Sequence, residues 1–495
     1  MPEIVFFNSK SGELTCTANG ISLHSKYNPI QEAQRFIQNL SVDFKPKYIV
    51  ITEPGLFYCK EFLEEKFPDT LIYSIHYSSE LYSKCQNKNK ILADTISKAE
   101  CFNTTLFNLL GEEGILSALF LSWSPSSNAF SEIDKIIWEK IRASVELSRT
   151  IIATRSHFSS RWIINCIKNL IHTENTFAAK KINKPIVICA SGPSLEGCCK
   201  ILKKLRSKFF LLAVSSAASA LIKNNIVPDA VISTDGGYWA KKHLEILKKY
   251  EKIPLILASE GNCPLQVLKQ NPVIFLSYPD GIASEIIKKA GFNGITGERN
   301  GTVSGTALDL AKKITDSEIF AFGLDLSPAP GFQHAQPNTI EIQNLQKDYR
   351  IKTGENRITS SRYNSGSLKI YEDWFKSLPF EYTKNIFRVS DNYNFTNKLG
   401  FIKDIKLDEF SKKIMQINEF SNEIFYERIT NSKNKENLKK SILKLSETEE
   451  WKKEFFTAEY IAFEKEINSS KKDALFSKIS DKNKVLVNKI LRIIK

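Results

Sequence analysis

The chain has 495 residues, 42% of them hydrophobic and 25% charged, which is too long for one typical core and has the make-up of a soluble globular protein. Its formal net charge is +14, but the lysines are interleaved with acids, as around Glu436, and no nucleic-acid module appears, so a solvated surface is expected and no nucleic-acid partner. The most apolar stretch, Phe209 to Ile222, is broken by serines and falls short of the roughly 20 residues of a spanning helix; with no secretory signal at the start, a cytoplasmic protein without a membrane span is expected.

Residues 1–127 read as an N-terminal α/β domain. Tyr48 to Thr52 is strand-like, Glu53-Pro54-Gly55 is a turn, Leu56 to Phe67 has an amphipathic helical pattern, and Leu71 to Ile75 is a second strand. Such a β-α-β unit could bind a ligand, but fold alone does not fix function, and a structural or docking domain is the expectation. Residues 128–182 form a helical connector. One helix starts at Ser131 and runs through Ile136, Ile137, Ile141, Val145 and Leu147, and a second covers Trp162 to Leu170. Arg161 and Asn165, four apart on one face, are expected to pack or face solvent.

Residues 183–403 read as a central Rossmann-like domain. Ile186 to Ala190 is a short run rich in β-branched residues, the pattern of a strand covered on both faces. Ser191-Gly192-Pro193-Ser194 ends it and opens a helix. The N–H groups of that turn are expected to be free and to face outward beyond the strand's carboxyl end, where open α/β sheets bind phosphates; an ordinary strand-to-helix turn has the same pattern. Further strands are Phe209 to Val214, ending at Ser215-Ser216, and Ala230 to Ser233, ending at Thr234-Asp235-Gly236-Gly237. Pro254 to Ala258 and Pro272 to Leu276 follow. Ser191, Ser215 and Asp235 would gather hydroxyls and a carboxylate along one edge, as a nucleotide pocket requires.

Gly301-Thr302-Val303-Ser304-Gly305-Thr306 opens another helix and could cap it or cradle an anion, although no lysine follows as a P-loop demands. The strand Glu318 to Phe322 ends at Gly323-Leu324-Asp325-Leu326. The loop from Ser327 to Asn338, rich in proline and glycine, carries His334 just past that strand end, where catalytic groups concentrate. From residue 404 to 495 the pattern is helical, a C-terminal helical domain expected to pack on the body or bind a protein. The fold class is therefore α/β, a Rossmann-like parallel sheet flanked by an N-terminal α/β domain and a C-terminal helical domain. The nine cysteines are scattered without a C-x-x-C and the histidines lack H-x-x-x-H spacing, so reduced thiols and no structural zinc are expected.

In order, Gly192-Pro193-Ser194-Leu195, Pro228-Asp229 leading to Ser233-Thr234-Asp235, Val303-Ser304-Gly305 and Gly323-Leu324-Asp325-Leu326 resemble the central domain of motility accessory factor (Maf) proteins, bacterial flagellin glycosyltransferases. That domain is similar to the sialyltransferases of glycosyltransferase family 42. The resemblance covers about 190 to 335 directly, and the flanking domains more loosely. It implies transfer of a nonulosonic acid, of pseudaminic or legionaminic type, from a CMP-activated donor to Ser or Thr of flagellin, with no cofactor. It places Gly192 and Ser194 by the nucleotide phosphate and Asp235 near the nucleotide or donor sugar, with Ser191, Ser215 and Asp325 also among the nucleotide- or donor-binding residues. Ser304 and Gly305 would lie near phosphate or sugar, and His334 is the candidate base, or the group that protonates the leaving phosphate. Ser191, Ser215-Ser216 and Val303 depart from the residues those sialyltransferases carry. No Asp-x-Asp occurs in the sequence, so the usual metal clamp on a nucleotide diphosphate is not visible and metal-independent transfer is expected. The alternatives are a pterin pyrophosphokinase-like enzyme using ATP and Mg²⁺, and a flagellin-binding chaperone with a vestigial nucleotide site.

Overall fold

A computed structural model describes residues 3–279, 281–292, 294–326, 332–351, 353–354, 366–390, 397–417, 425–429 and 435–495. They form two compact units, Met1–Ser159 with Glu447–Leu486, and Ser160–Ser446 with Val487–Lys495. The four sequence segments 1–127, 128–182, 183–403 and 404–495 are thus regrouped, with the connector and the C-terminal helices each shared between the two units. Among the described residues, no helix is long and apolar enough to cross a membrane.

The first unit holds an antiparallel sheet of β1 (Ile4–Asn8), β2 (Leu14–Ala18) and β3 (Ile21–Ser22), for which the sequence reading made no provision. It also holds a parallel sheet of β4 (Tyr48–Thr52), β5 (Leu71–His76), β6 (Lys90–Leu92) and β7 (Ala118–Ser122) in the order β6-β5-β4-β7. The helix expected from Leu56 is shorter, Lys60–Lys66, because Gly55 and Phe57 take positive φ, at 62° each, and hold the chain in a turn. The strand order reverses between β4 and β7, where such sheets open a crevice. Here the domain's own side chains fill it. His24, Glu53, Tyr77 and Trp123 are each at most 3% exposed, Leu56 N–H donates to His24 Nε2 at 2.8 Å, and Trp123 Nε1 donates to the Leu23 carbonyl at 2.7 Å.

The two connector helices expected from the sequence are a single helix of 42 residues, Ser131–His172. Neither glycine nor proline occurs between Pro125 and Pro185, so nothing in the chain breaks it.

The second unit is built on β9 (Ile186–Cys189), with β8 (Phe177–Ala179) preceding it. The sheet continues through β10 (Phe210–Val214), β11 (Ala230–Ser233), β12 (Leu255–Ala258), β13 (Val273–Ser277), β14 (Ile295–Thr296), β15 (Ile319–Phe322), β16 (Ile386–Val389) and β17 (Lys403–Ile405). Their order is β14-β13-β12-β11-β10-β9-β15-β16-β17, all parallel. Every residue of β9 to β13, β15 and β16 is buried. That is why these strands, β16 with its buried Arg388 excepted, read as almost continuous apolar runs, each Val, Leu or Ile contributing about 1.5–3 kcal/mol by its burial.

The wholly helical reading of residues 404–495 is corrected at two places. Asp404 lies inside β17, and β18 (Tyr426–Arg428) pairs antiparallel with β8. Both strands have three residues, too few to show a period. The other elements among the described residues of the tail are helices, from Leu407–Met415 to Ser469–Ile494.

Candidate functional site

From β9 the chain winds outward through β10 to β14, then returns to the other side of β9 as β15. The topological switch point therefore lies between β9 and β15, where an open sheet offers its ligand crevice. The two candidate turns meet there. Ala190 N–H donates to the Phe322 carbonyl and Gly192 N–H to the Gly323 carbonyl, each at 2.8 Å. Both glycines are required by this approach: a Cβ on Gly192 would stand 2.5 Å from Asp325 Oδ2 and from the Gly323 carbonyl, and Gly323, at φ 65°, lies against the Ala190 carbonyl.

Ser194 is tied to the same strand end. Its N–H donates to Asp325 Oδ2 at 3.0 Å and its hydroxyl to Asp325 Oδ1. Burial pushes the Asp325 carboxyl above its usual range, outweighing the hydrogen bonds from Ser194 and the charge of Arg388. The expectation of free N–H groups on this turn is therefore corrected. Gly192 and Ser194 direct theirs into the protein and Pro193 has none, because the second turn packs close enough to accept them. Arg388, fully buried in β16, pairs both Asp404 oxygens at 2.6 and 3.1 Å and reaches the Leu324 carbonyl at 3.4 Å.

Residues 332–338 lie across the same edge. Ala335 N–H donates to the Ser191 carbonyl at 2.8 Å, Gln336 N–H to Glu196 Oε1 at 2.7 Å, and Asn338 Nδ2 to the Ser216 carbonyl at 3.2 Å. These bonds hold His334 over the ends of β9 and β10. Part of its preceding loop, 327–331, lies outside the described residues. Asn338 also caps the next helix, Thr339–Leu345, accepting from Ile340 N–H at 3.0 Å. His334 Nδ1 is buried, with no hydrogen-bond partner among the described residues, and lies 3.9 Å from Glu341 Oε1. On the neighbouring helix Tyr238–His243, burial, with a smaller contribution from the charge of His334, pushes the His243 imidazole down to about 4.

The other named residues lie further along the edge. Ser215 is buried, its N–H committed to the Ile232 carbonyl at 2.9 Å. Asp235 is exposed at the end of β11 and accepts from its own Gly237 N–H at 2.9 Å. Ser304 and Gly305 begin the helix Val303–Ile314. There Asn300 Oδ1, not a hydroxyl of the motif, accepts from Thr302 N–H at 3.4 Å and from the Thr306 hydroxyl at 3.1 Å. A Cβ on Gly305 would meet Asn300 at 2.8 Å and Trp374 at 3.0 Å. Asp229, part of the Pro228-Asp229 pair, is at the opposite end of β11, accepting from Leu211 N–H at 2.7 Å and pairing Arg206 at 2.8 Å.

Sequence reasoning gave Arg299 and Asn169 no part at this edge and expected Asn165 only to pack or face solvent. Arg299 pairs Glu260 through both nitrogens at 3.1 and 3.0 Å, with its guanidinium 4.3 Å from the Tyr278 ring centre. Asn165 and Asn169 project from the long helix. Asn165 Nδ2 donates to the Gly236 and Glu260 carbonyls, each at 3.1 Å, and Asn169 Nδ2 to those of Ser259 and Gly261 at 3.0 and 2.8 Å. Their spacing of four was the available signal, and Asn165 does pack, as a brace on two strand ends.

Residues 160–329 match the family model described as 6-hydroxymethylpterin diphosphokinase MptE-like. An uncharacterized protein of Treponema pallidum (strain Nichols) is 28% identical over 320 residues, 64% of this chain and 70% of its own length. A second from the same organism is 30% identical over 171 residues, 34% of this chain and 29% of its own length. The solved structure of MAf glycosyltransferase from Magnetospirillum magneticum AMB-1 aligns over 100% of this chain and 92% of that one, with a TM-score of 0.55 and 12% identity. The chain shares its fold with a Maf glycosyltransferase. The resemblance read from short motifs is thus borne out as a likeness of fold, and it extends beyond the central domain to the whole chain. The matched segment 160–329 contains Ser191, Gly192, Ser194, Ser215, Asp235, Ser304, Gly305 and Asp325, while His334 lies just past it.

Proposed function

We propose that this protein is a glycosyltransferase that moves a nonulosonic, sialic-acid-like sugar from a CMP-activated donor to Ser or Thr hydroxyls of flagellin, without a metal ion. The observation that carries this reading is the anchoring of His334 at the switch-point edge, through Ala335 to Ser191 and Asn338 to Ser216, in a chain with the fold of a Maf glycosyltransferase. The ends of β9, β10 and β11 are consecutive in the sheet and span roughly 10 Å at the usual strand spacing, about the length of a nucleotide laid along them. Gly192, Ser194 and Asp325 then shape the turn beneath the donor phosphate. The hydroxyls of Ser191 and Ser304 are the donors assigned to it, and Ser215 and Asp235 border the nucleotide or sugar.

In the reaction, His334 takes the proton of the acceptor hydroxyl as that oxygen attacks the anomeric carbon. The bond from this carbon to the CMP phosphate oxygen breaks, and its electron pair leaves with CMP. Such general-base help is worth about 10²–10⁴-fold in rate. Flagellin, the sugar class and CMP rest on the resemblance to Maf proteins. The test is the intact mass of flagellin produced with and without this protein, in cells that make the activated sugar. A mass increase equal to whole sugar residues is expected; an unchanged mass overturns the reading.

A further inference from the structure

We infer that Glu341 is the positioning residue for His334, holding a proton on Nδ1 so that Nε2 faces outward with its lone pair free. The inference rests on the role proposed above for His334 and adds a second side chain to it. Nδ1 is cut off from water and unpartnered among the described residues, and the exposed 27% of the side chain belongs to its other atoms. A buried N–H without an acceptor is costly, so the ring needs an acceptor on that side. Among the described residues, three titratable groups lie against this segment. Glu196 accepts from Gln336 N–H, and burial keeps His243 neutral. Glu341, 7% exposed, brings its carboxyl Oε1 to 3.9 Å from Nδ1. Closing that gap by about 1 Å gives an ordinary hydrogen bond, and a charged acceptor makes it a strong one.

One structural role open to Glu341 is a capping box. Asn338-x-x-Glu341 has the spacing of a capping box, in which the glutamate accepts from the cap residue's own N–H. Here Asn338 N–H donates to Gln336 Oε1 at 3.3 Å instead. Moreover, glutamine serves a capping box as well as glutamate does, so Glu341→Gln keeps a cap while removing the charge.

The experiment records the imidazole ¹⁵N shifts of the histidine-labelled full chain, with His334 assigned by its loss in His334→Asn. In the unaltered protein, neutral His334 is expected to carry its proton on Nδ1. In Glu341→Gln the population is expected to move toward the Nε2-protonated form with the melting temperature unchanged, and Glu341→Asp to restore the first pattern in part. The same His334 shifts in both proteins, or a Glu341→Gln variant that only loses stability, overturn the inference. With the sugar donor and acceptor, kcat of Glu341→Gln is expected to fall on the order of 10²-fold with KM kept. If the unaltered protein transfers no sugar, the transferase reading fails, and the ¹⁵N result still decides the His334–Glu341 pair.

Discussion

Ser194 is clamped to Asp325 at two points, N–H to Oδ2 at 3.0 Å and hydroxyl to Oδ1, across 131 residues of sequence. This clamp closes the turn after β9 onto the end of β15. Asp325→Ala is expected to destabilise the second unit by about 1–3 kcal/mol, since it leaves the buried Ser194 donors without an acceptor. Asp325→Asn keeps one acceptor and removes a charge that burial disfavours, so its loss should be smaller. Urea unfolding of the two variants checks the order; equal losses would mean that the hydrogen bonds carry little.

Gly192→Ala places a methyl group 2.5 Å from both Asp325 Oδ2 and the Gly323 carbonyl. Because one of these atoms is backbone, the two strand ends must separate. A loss of about 1–3 kcal/mol and a weaker response to CMP are expected by denaturation and thermal shift. An unaltered melting curve with normal CMP binding would show that the turn tolerates a side chain.

The pH dependence of stability has opposing limbs. His76 is buried with Nδ1 3.2 Å from Glu53 Oε1. Burial opposes its charge, but hydrogen bonds to Cys85 and Glu53 and the charge of Glu53 prevail, pushing it up to about 9. Raised above its unfolded value of about 6.5, it contributes stability that is complete below that value and lost as pH rises through about 9. Burial pushes His24 and His243 the other way, to about 4. Their contribution is present above pH of about 6.5 and lost as pH falls toward 4. Melting temperatures measured from pH 4 to pH 10 should fall at both ends, and Glu53→Gln should weaken the alkaline fall while the contribution of Cys85 remains. An alkaline limb left unchanged by this substitution assigns the titration to another group.

CMP should raise the melting temperature and ATP should not, the stabilisation reaching about 2.7 kcal/mol at a hundredfold excess over Kd. His334→Ala is expected to keep this CMP response while sugar transfer falls by about 10²-fold or more. Retained transfer would remove His334 from the mechanism. A response to ATP in place of CMP would favour a phosphokinase, and a response to neither would favour a flagellin-binding protein without nucleotide chemistry.

Local sequence determined the strands β9 to β13 and β15. A run such as Ile186-Val-Ile-Cys is apolar at every position, and only a strand covered on both faces buries all of it. The breaks at Gly192 and Gly323, and the placing of His334 past a strand end, were legible for the same reason, since glycine and proline punctuate a chain wherever it folds. Three-residue strands such as β17 and β18 were not, and neither was the continuity of the helix Ser131–His172, whose middle is polar enough to read as a break.

The tertiary structure alone decided how the site is wired. It turned the Gly192 and Ser194 amides inward, made Asp325 the partner of Ser194, set Asn165 and Asn169 as braces under two strand ends, and brought Glu341 beside His334. The physical reason is that a residue's periodicity and bulk report its own conformation and burial. Its hydrogen-bond partner across a parallel sheet is chosen by the crossovers that set strand order, here by the return of the chain to β15 beside β9, and no local pattern records that choice.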